Sequence, residues 1–153
     1  MTHTAEMVRE VVDIAASLDE VFDALTDPRE LAVWLGDETP DITDGWTPEP
    51  NAGSSWKSPA IAPNGVRGHV EGEYLVVARP HRIETTWRAS WEGDAPSRVR
   101  YDLEPVEVDG VLGTRVTVTH TMVAAAHART AGRVDWRAPL GRLALLLNAR
   151  VTL

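Results

Sequence analysis

Residues 17–35 read SLDEVFDALTDPRELAVWL, and this stretch decides the architecture. Ser17, Leu18, Asp19 and Glu20 form a capping box, in which the hydroxyl and the carboxylate each satisfy an amide that the first helical turn leaves without a partner. Val21, Phe22 and Leu25 follow at helical spacing. A second start comes at once: Asp27 as N-cap, Pro28 at the first helical position and Glu30 three residues after the cap. Leu31, Trp34 and Leu35 form the apolar side of this second helix, and Gly36 ends it. The pattern predicts two short helices in tandem. Upstream, Val8, Val11, Val12 and Ile14 predict a strand over 8–14.

Downstream, residues 37–65 are rich in Asp, Thr, Pro and Gly, a long loop of the kind that serves as a lid or binding element. Within it a strand carrying Trp56 is expected over 54–61. From Val66 the pattern is β. A long run reaches Ala78; then Ile83, Thr85, Trp87, Ala89 and Trp91 share one face of a strand. Val99, Tyr101 and Leu103 alternate with Arg98, Arg100 and Asp102, and after the turn Asp109-Gly110, Val116, Val118, His120 and Met122 alternate with threonines. One wet and one dry face describe an antiparallel meander whose dry face must be covered. The cover is a C-terminal helix: Trp136, Leu140, Leu143, Leu147 and Val151 form an apolar stripe, with Leu145 and Leu146 expected to broaden it. Pro139 is tolerated only in a first turn, so this helix is expected to start between Asp135 and Ala138. The fold class is α+β: a curved antiparallel sheet wrapped around a long C-terminal helix, a helix-grip arrangement, with two short helices after the first strand.

Composition narrows the function. The chain has 153 residues, 43% hydrophobic and 25% charged, fitting a single domain over 1–153. No cysteine is present, which removes disulfides, thiolate metal sites and a cysteine nucleophile. No apolar run is long enough for a membrane helix and no signal-peptide core follows Met1, so a cytoplasmic protein with no membrane role is expected. The net charge of −8 disfavours nucleic acid as a partner. Charge is uneven: residues 1–122 hold 10 basic against 22 acidic residues, whereas 123–153 hold Arg129, Arg133, Arg137, Arg142 and Arg150 against Asp135 alone. The plain reading is a basic helix answering an acidic body; the alternative is a patch for a protein partner.

Several phrases in this order resemble the START-like (SRPBCC) superfamily, most closely its heat-shock chaperone ATPase activator-like branch. They are Val21 to Pro28 with Leu31 and Trp34; Gly72 to Val77 leading to Pro80-His81-Arg82-Ile83; Thr86-Trp87; Gly113 to His120; and Trp136 with its leucine stripe. The similarity spans residues 7–150. The glycine pair usual before the Trp56 region is reduced here to Gly53-Ser54-Ser55. The resemblance implies a cavity between sheet and long helix that, across the superfamily, takes lipids, steroids, polyketides or hormones, a minority of members being cyclases, aromatases or hydrolases.

On this basis the expected cavity lining is Trp34, Trp56, Tyr74, Trp87, Trp91, Tyr101, His120, Trp136, Leu140 and Leu143, an apolar box with N–H and O–H handles. The favoured function is non-catalytic binding of a small hydrophobic or amphipathic ligand, lipid- or polyketide-like. The alternatives are a polyketide cyclase or aromatase with His120 and Tyr101 as acid–base groups, or a module contacting a chaperone or regulator through the basic 129–150 region. His120 is the inward titratable residue; its plain reading is a core histidine with its hydrogen bonds satisfied. His69, Glu71 and Glu73 share a strand face that is expected to meet water, so no metal site and no cofactor is assigned. His3, His81 and His127 fall in loop or terminal contexts. Either a monomer or a homodimer is compatible with the pattern.

Overall fold

The tandem-helix signal is realised atom for atom. In the computed structural model, which describes residues 5–36, 50–62, 64–91, 97–123 and 136–151, Ser17 Oγ accepts from the Glu20 amide at 3.2 Å and Glu20 Oε1 accepts from the Ser17 amide at 3.4 Å. Helix α1 (Leu18–Thr26) ends where α2 (Pro28–Trp34) begins. Asp27 serves both: its N–H donates to the Asp23 carbonyl at 2.7 Å, and its carboxylate accepts from the Arg29 amide at 2.9 Å. Trp34 Nε1 donates to the Ala24 carbonyl at 2.8 Å and locks the two helices together.

Strand β1 (Ala5–Ile14) precedes the helices; β2 (Ser55–Ile61), β3 (Arg67–Ala78), β4 (Arg82–Ala89), β5 (Ser97–Val108) and β6 (Val111–Val123) follow. They form one antiparallel sheet in the order β1-β6-β5-β4-β3-β2. The Asp109-Gly110 turn has positive φ at both residues, 49° and 81°, so its twist matches that of the flanking strands. A register shift between Tyr74 and Val76 re-aims β3 past its middle. Edge strand β2 carries Lys57 and Pro59, residues that discourage a further strand from adding there.

Helix α3 (Arg137–Val151) closes the inner face, with Pro139 in its first turn as expected. Leu140, Leu143 and Leu147 are buried against the sheet and the paired helices. The expected broadening of this stripe is corrected: Leu145 is 72% exposed and Leu146 half-buried. Leu145 stands two residues from both Leu143 and Leu147, a turn of about 200° that places it on the far side of the helix. Two polar ties fix α3: Arg142 Nε donates to the Trp34 carbonyl at 3.0 Å, and Asn148 Oδ1 accepts from the Ala15 amide at 3.1 Å.

On β3, Val70 and Tyr74 face the core, while Glu73 is exposed and His69 and Glu71 are half-buried, with His69 Nε2 3.9 Å from Glu71 Oε1. The irregularity in β3 lies beyond these three residues, so their alternation is undisturbed. Among the described residues no helix is long and apolar enough to cross a membrane.

Candidate functional site

The inward residues of the sheet meet α3 and α2 in an aromatic cluster. Trp136, the residue before α3, is its hub: ring centroids lie 5.1 Å from Trp87, 5.9 Å from His120, 6.1 Å from Tyr101 and 6.4 Å from Trp34. Trp56 reaches Trp87 at 5.6 Å and Tyr74 at 6.4 Å. Trp56 passes beneath β3 because Gly72 leaves it room; a Cβ there would collide with the Thr86 carbonyl and crowd Trp56 Nε1.

His120 sits in a chain of hydrogen bonds inside this cluster. Trp136 Nε1 donates to His120 Nδ1 at 3.0 Å, His120 Nε2 lies 2.6 Å from Ser97 Oγ, and Ser97 Oγ donates to the Trp87 carbonyl at 3.1 Å. An indole nitrogen only donates, so Nδ1 must accept and Nε2 carries the proton. Ser97 then accepts from Nε2–H and spends its own proton on the carbonyl, a directionally consistent relay. Trp56 Nε1 likewise donates to Thr85 Oγ1 at 2.6 Å. Burial pushes the Tyr74 phenol up to about 12. The Tyr101 phenol is raised well above its ordinary value, chiefly by burial and secondarily by Tyr74.

Where the aromatic packing stops, a hollow of about 290 Å³ remains between the sheet and the start of α3. Its wall comes from Leu35 and Gly36 after α2, from Ala60 and Ile61 of β2 with Ala62, from Val70 of β3, from Trp87 of β4 with Trp91, and from Ala138, Pro139 and Arg142 of α3. Of the ten lining residues expected from the sequence, Trp87 and Trp91 stand in this wall; Trp34, Trp56, Tyr74, Tyr101, His120, Trp136, Leu140 and Leu143 are buried in the packed core beside it. Strand β4 ends at Ala89, so Trp91 belongs to the following turn and not to the strand. Its ring lies over Gly68, where a Cβ would come within 3.2 Å of it. The three alanines of the wall escaped the sequence reading because small side chains announce nothing: Ala60, Ala62 and Ala138 make space by what they lack. Gly36 did give a signal, its role as a helix stop. At φ 108° it turns the chain so that the Ile61 amide donates to the Leu35 carbonyl at 3.2 Å, which pins β2 to the end of α2.

One buried donor is distinctive. Trp87 is buried, and its Nε1–H has no hydrogen-bond partner among the described residues. Arg142, tied by Nε to Trp34, is the only titratable side chain in the wall among the described residues. Of the basic C-terminal residues, Arg137 is exposed on α3, Arg129 and Arg133 lie outside the described residues, as do His3 and His127, and the side chain of Arg150 is not described either.

A long helix gripped by a curved antiparallel sheet, with a hollow at their junction, defines the START-like helix-grip class. Within it, residues 15–148 match the family described as Activator of Hsp90 ATPase homolog 1-like protein, and the chain belongs to that family. Among solved structures it is similar to protein Ms6760 from Mycobacterium smegmatis, at 18% identity and TM-score 0.72 over 95% of this chain and 90% of that one. PFC0360w, an Hsp90 activator from Plasmodium falciparum, is similar at 18% identity and TM-score 0.59 over 95% and 94% of the two chains. DynU16, from the dynemicin biosynthetic locus, matches at 24% identity and TM-score 0.62 over 94% of this chain and 48% of its own. Among curated protein sequences none matches.

Proposed function

We propose that this protein is a non-catalytic binder of a small hydrophobic or amphipathic molecule, lipid- or polyketide-like in character, held in the hollow between the sheet and α3. The observation that carries this reading is the wall itself, a hollow of about 290 Å³ lined chiefly by apolar side chains among the described residues. A bound apolar molecule removes that wall from water, which favours binding. The non-catalytic part rests on where the titratable groups lie. His120 has both ring nitrogens engaged in the packed core, and Tyr101 is buried with its phenol raised, which places neither in the wall as an acid–base group.

Native mass spectrometry of freshly purified protein, set against its denatured mass, tests this reading. Extra mass that vanishes on denaturation, and is absent from Ala138→Trp at the mouth, supports it. A bare mass, with no thermal stabilisation by any of a panel of apolar compounds, overturns it. Similarity to the Plasmodium falciparum activator favours a second reading, contact with a chaperone of the Hsp90 type. Its mark is a salt-sensitive pull-down that charge reversal at Arg133 and Arg137 abolishes.

A further inference from the structure

The face of the sheet turned away from α3 carries a pattern of its own. Thr117, Thr119 and Thr121 stand in one half-buried column along β6, and their hydroxyls have no hydrogen-bond partner among the described residues. The β6 backbone is paired on both sides, to β1 and to β5, so this floor offers side chains and no free ladder for an added strand. Threonine suits a solvated strand face by propensity alone. Propensity does not account for what flanks the column. Met7 of β1 and Arg98 of β5 lie opposite Thr121, while Arg9 of β1 and Arg100 of β5 lie opposite Thr119. These residues border a groove of about 540 Å³.

Charge in the groove is unevenly committed. Asp102 accepts from Arg82 Nε at 3.0 Å and from Arg100 Nε at 2.8 Å, which holds those two cations in place. Arg9 and Arg98 are exposed, and neither has a hydrogen-bond or ion-pair partner among the described residues. Four arginines (Arg9, Arg82, Arg98 and Arg100) stand here against Glu84 and Asp102, an excess of positive charge on a chain whose net charge is −8. An acidic partner is therefore repelled by most of the molecule and drawn to this face. Met7, 60% exposed, adds an unbranched apolar side chain that adapts its shape to a neighbour. Spacing sets a further limit. Arg9 and Arg98 are two strands apart and two residues out of step. At about 4.8 Å per strand and about 3.4 Å per residue, that diagonal is roughly 12 Å, the span of about four residues of extended chain.

We infer that this outer face docks an acidic, extended segment of a partner protein, its carboxylates four residues apart on Arg9 and Arg98 and an apolar neighbour against Met7. The inference is independent of the small-ligand reading, because the hollow lies on the opposite face of the sheet. The peptide GETVTEG and its neutral counterpart GQTVTQG test it by NMR titration of the isotope-labelled protein. The acidic peptide is expected to shift the amides of Thr119 and Thr121 and to bind about five- to tenfold more tightly than the neutral one at low salt. That preference should vanish near about 0.5 M salt, where exposed charges are screened. The double variant Arg9→Glu/Arg98→Glu, changed at two exposed positions, should lose the preference while keeping the circular dichroism spectrum. Arg29→Glu/Lys57→Glu makes the same change in net charge at exposed positions away from the groove and should keep it.

Equal binding of the two peptides, no binding of either, or a preference that survives in Arg9→Glu/Arg98→Glu overturns the inference. So does a free protein that sediments as two chains and is returned to one by that variant, since a second copy then occupies the face. None of these outcomes bears on the hollow, which is read by bound mass.

Discussion

Replacing Trp136 by phenylalanine tests whether the aromatic cluster is organised around the His120 relay or is merely a greasy filling. The substitution deletes the donor that holds His120 Nδ1 at 3.0 Å and leaves a buried acceptor unpaired, a loss of about 1–3 kcal/mol. It also shrinks a ring that contacts Trp34, Trp87, Tyr101 and His120; the missing ring leaves a small cavity worth about another 1 kcal/mol. The expected total is about 2–4 kcal/mol, a drop in Tm of about 4–16 °C for a domain of this size. Urea unfolding followed by near-ultraviolet circular dichroism measures it. Ser97→Ala, which takes the partner from His120 Nε2 at the other end of the relay, should be non-additive with Trp136→Phe by more than about 0.5 kcal/mol, since both act on one imidazole. A loss below about 0.5 kcal/mol for Trp136→Phe, or strict additivity of the pair, would refute the relay.

The two faces of α3 should respond oppositely: Leu143→Ala, fully buried, should cost about 2–5 kcal/mol, whereas exposed Leu145→Glu should stay within about 0.5 kcal/mol by urea unfolding. Gly72→Ala should destabilise by at least about 1–3 kcal/mol, because its Cβ meets the fixed Thr86 carbonyl; a wild-type melting curve would show that the β4 backbone does not approach Gly72 that closely. Both tyrosines of the chain are raised by burial, Tyr74 to about 12 and Tyr101 well above its ordinary value. Their contribution to stability is therefore complete below the ordinary phenol value and lost as pH rises through the folded one; absorbance at 295 nm should stay flat through pH 10–11 in the folded protein and rise in urea. Asp13 is held below the usual carboxylate range, first by the hydrogen bond from Arg115. Its contribution is present above the ordinary value and lost as pH falls through the depressed one, so Asp13→Asn should flatten the acid limb of the urea midpoint between pH 2 and 5.

Much of this molecule is written locally. The capping box at Ser17 and Glu20, the shared cap at Asp27 and the Asp109-Gly110 turn each depend on residues within a few positions of one another, and all three form as their chemistry dictates. Alternation along β5 and β6 likewise predicted that Tyr101, His120 and the valines face inward. Leu145 shows where counting apolar residues misleads: helical angle, not hydrophobicity, decides which leucine is buried. The plain expectation for His120, a core histidine with satisfied hydrogen bonds, describes its setting, but its partners Ser97 and Trp136 come from a strand and a helix start far away in sequence.

The succession of strands along the chain, the helix that covers them and the aromatic content of the core follow from periodicity and capping, which a chain carries in its local sequence, whereas the pairing of β1 with β6 is a tertiary result. The position of the hollow does not. It depends on where Trp136 fills the centre, on how far β4 runs before Trp91 turns aside, and on three alanines from two distant elements leaving room next to Trp87. A cavity is a deficit of atoms shared among segments remote in sequence, so packing in three dimensions places it, together with the one indole N–H left without a partner among the described residues.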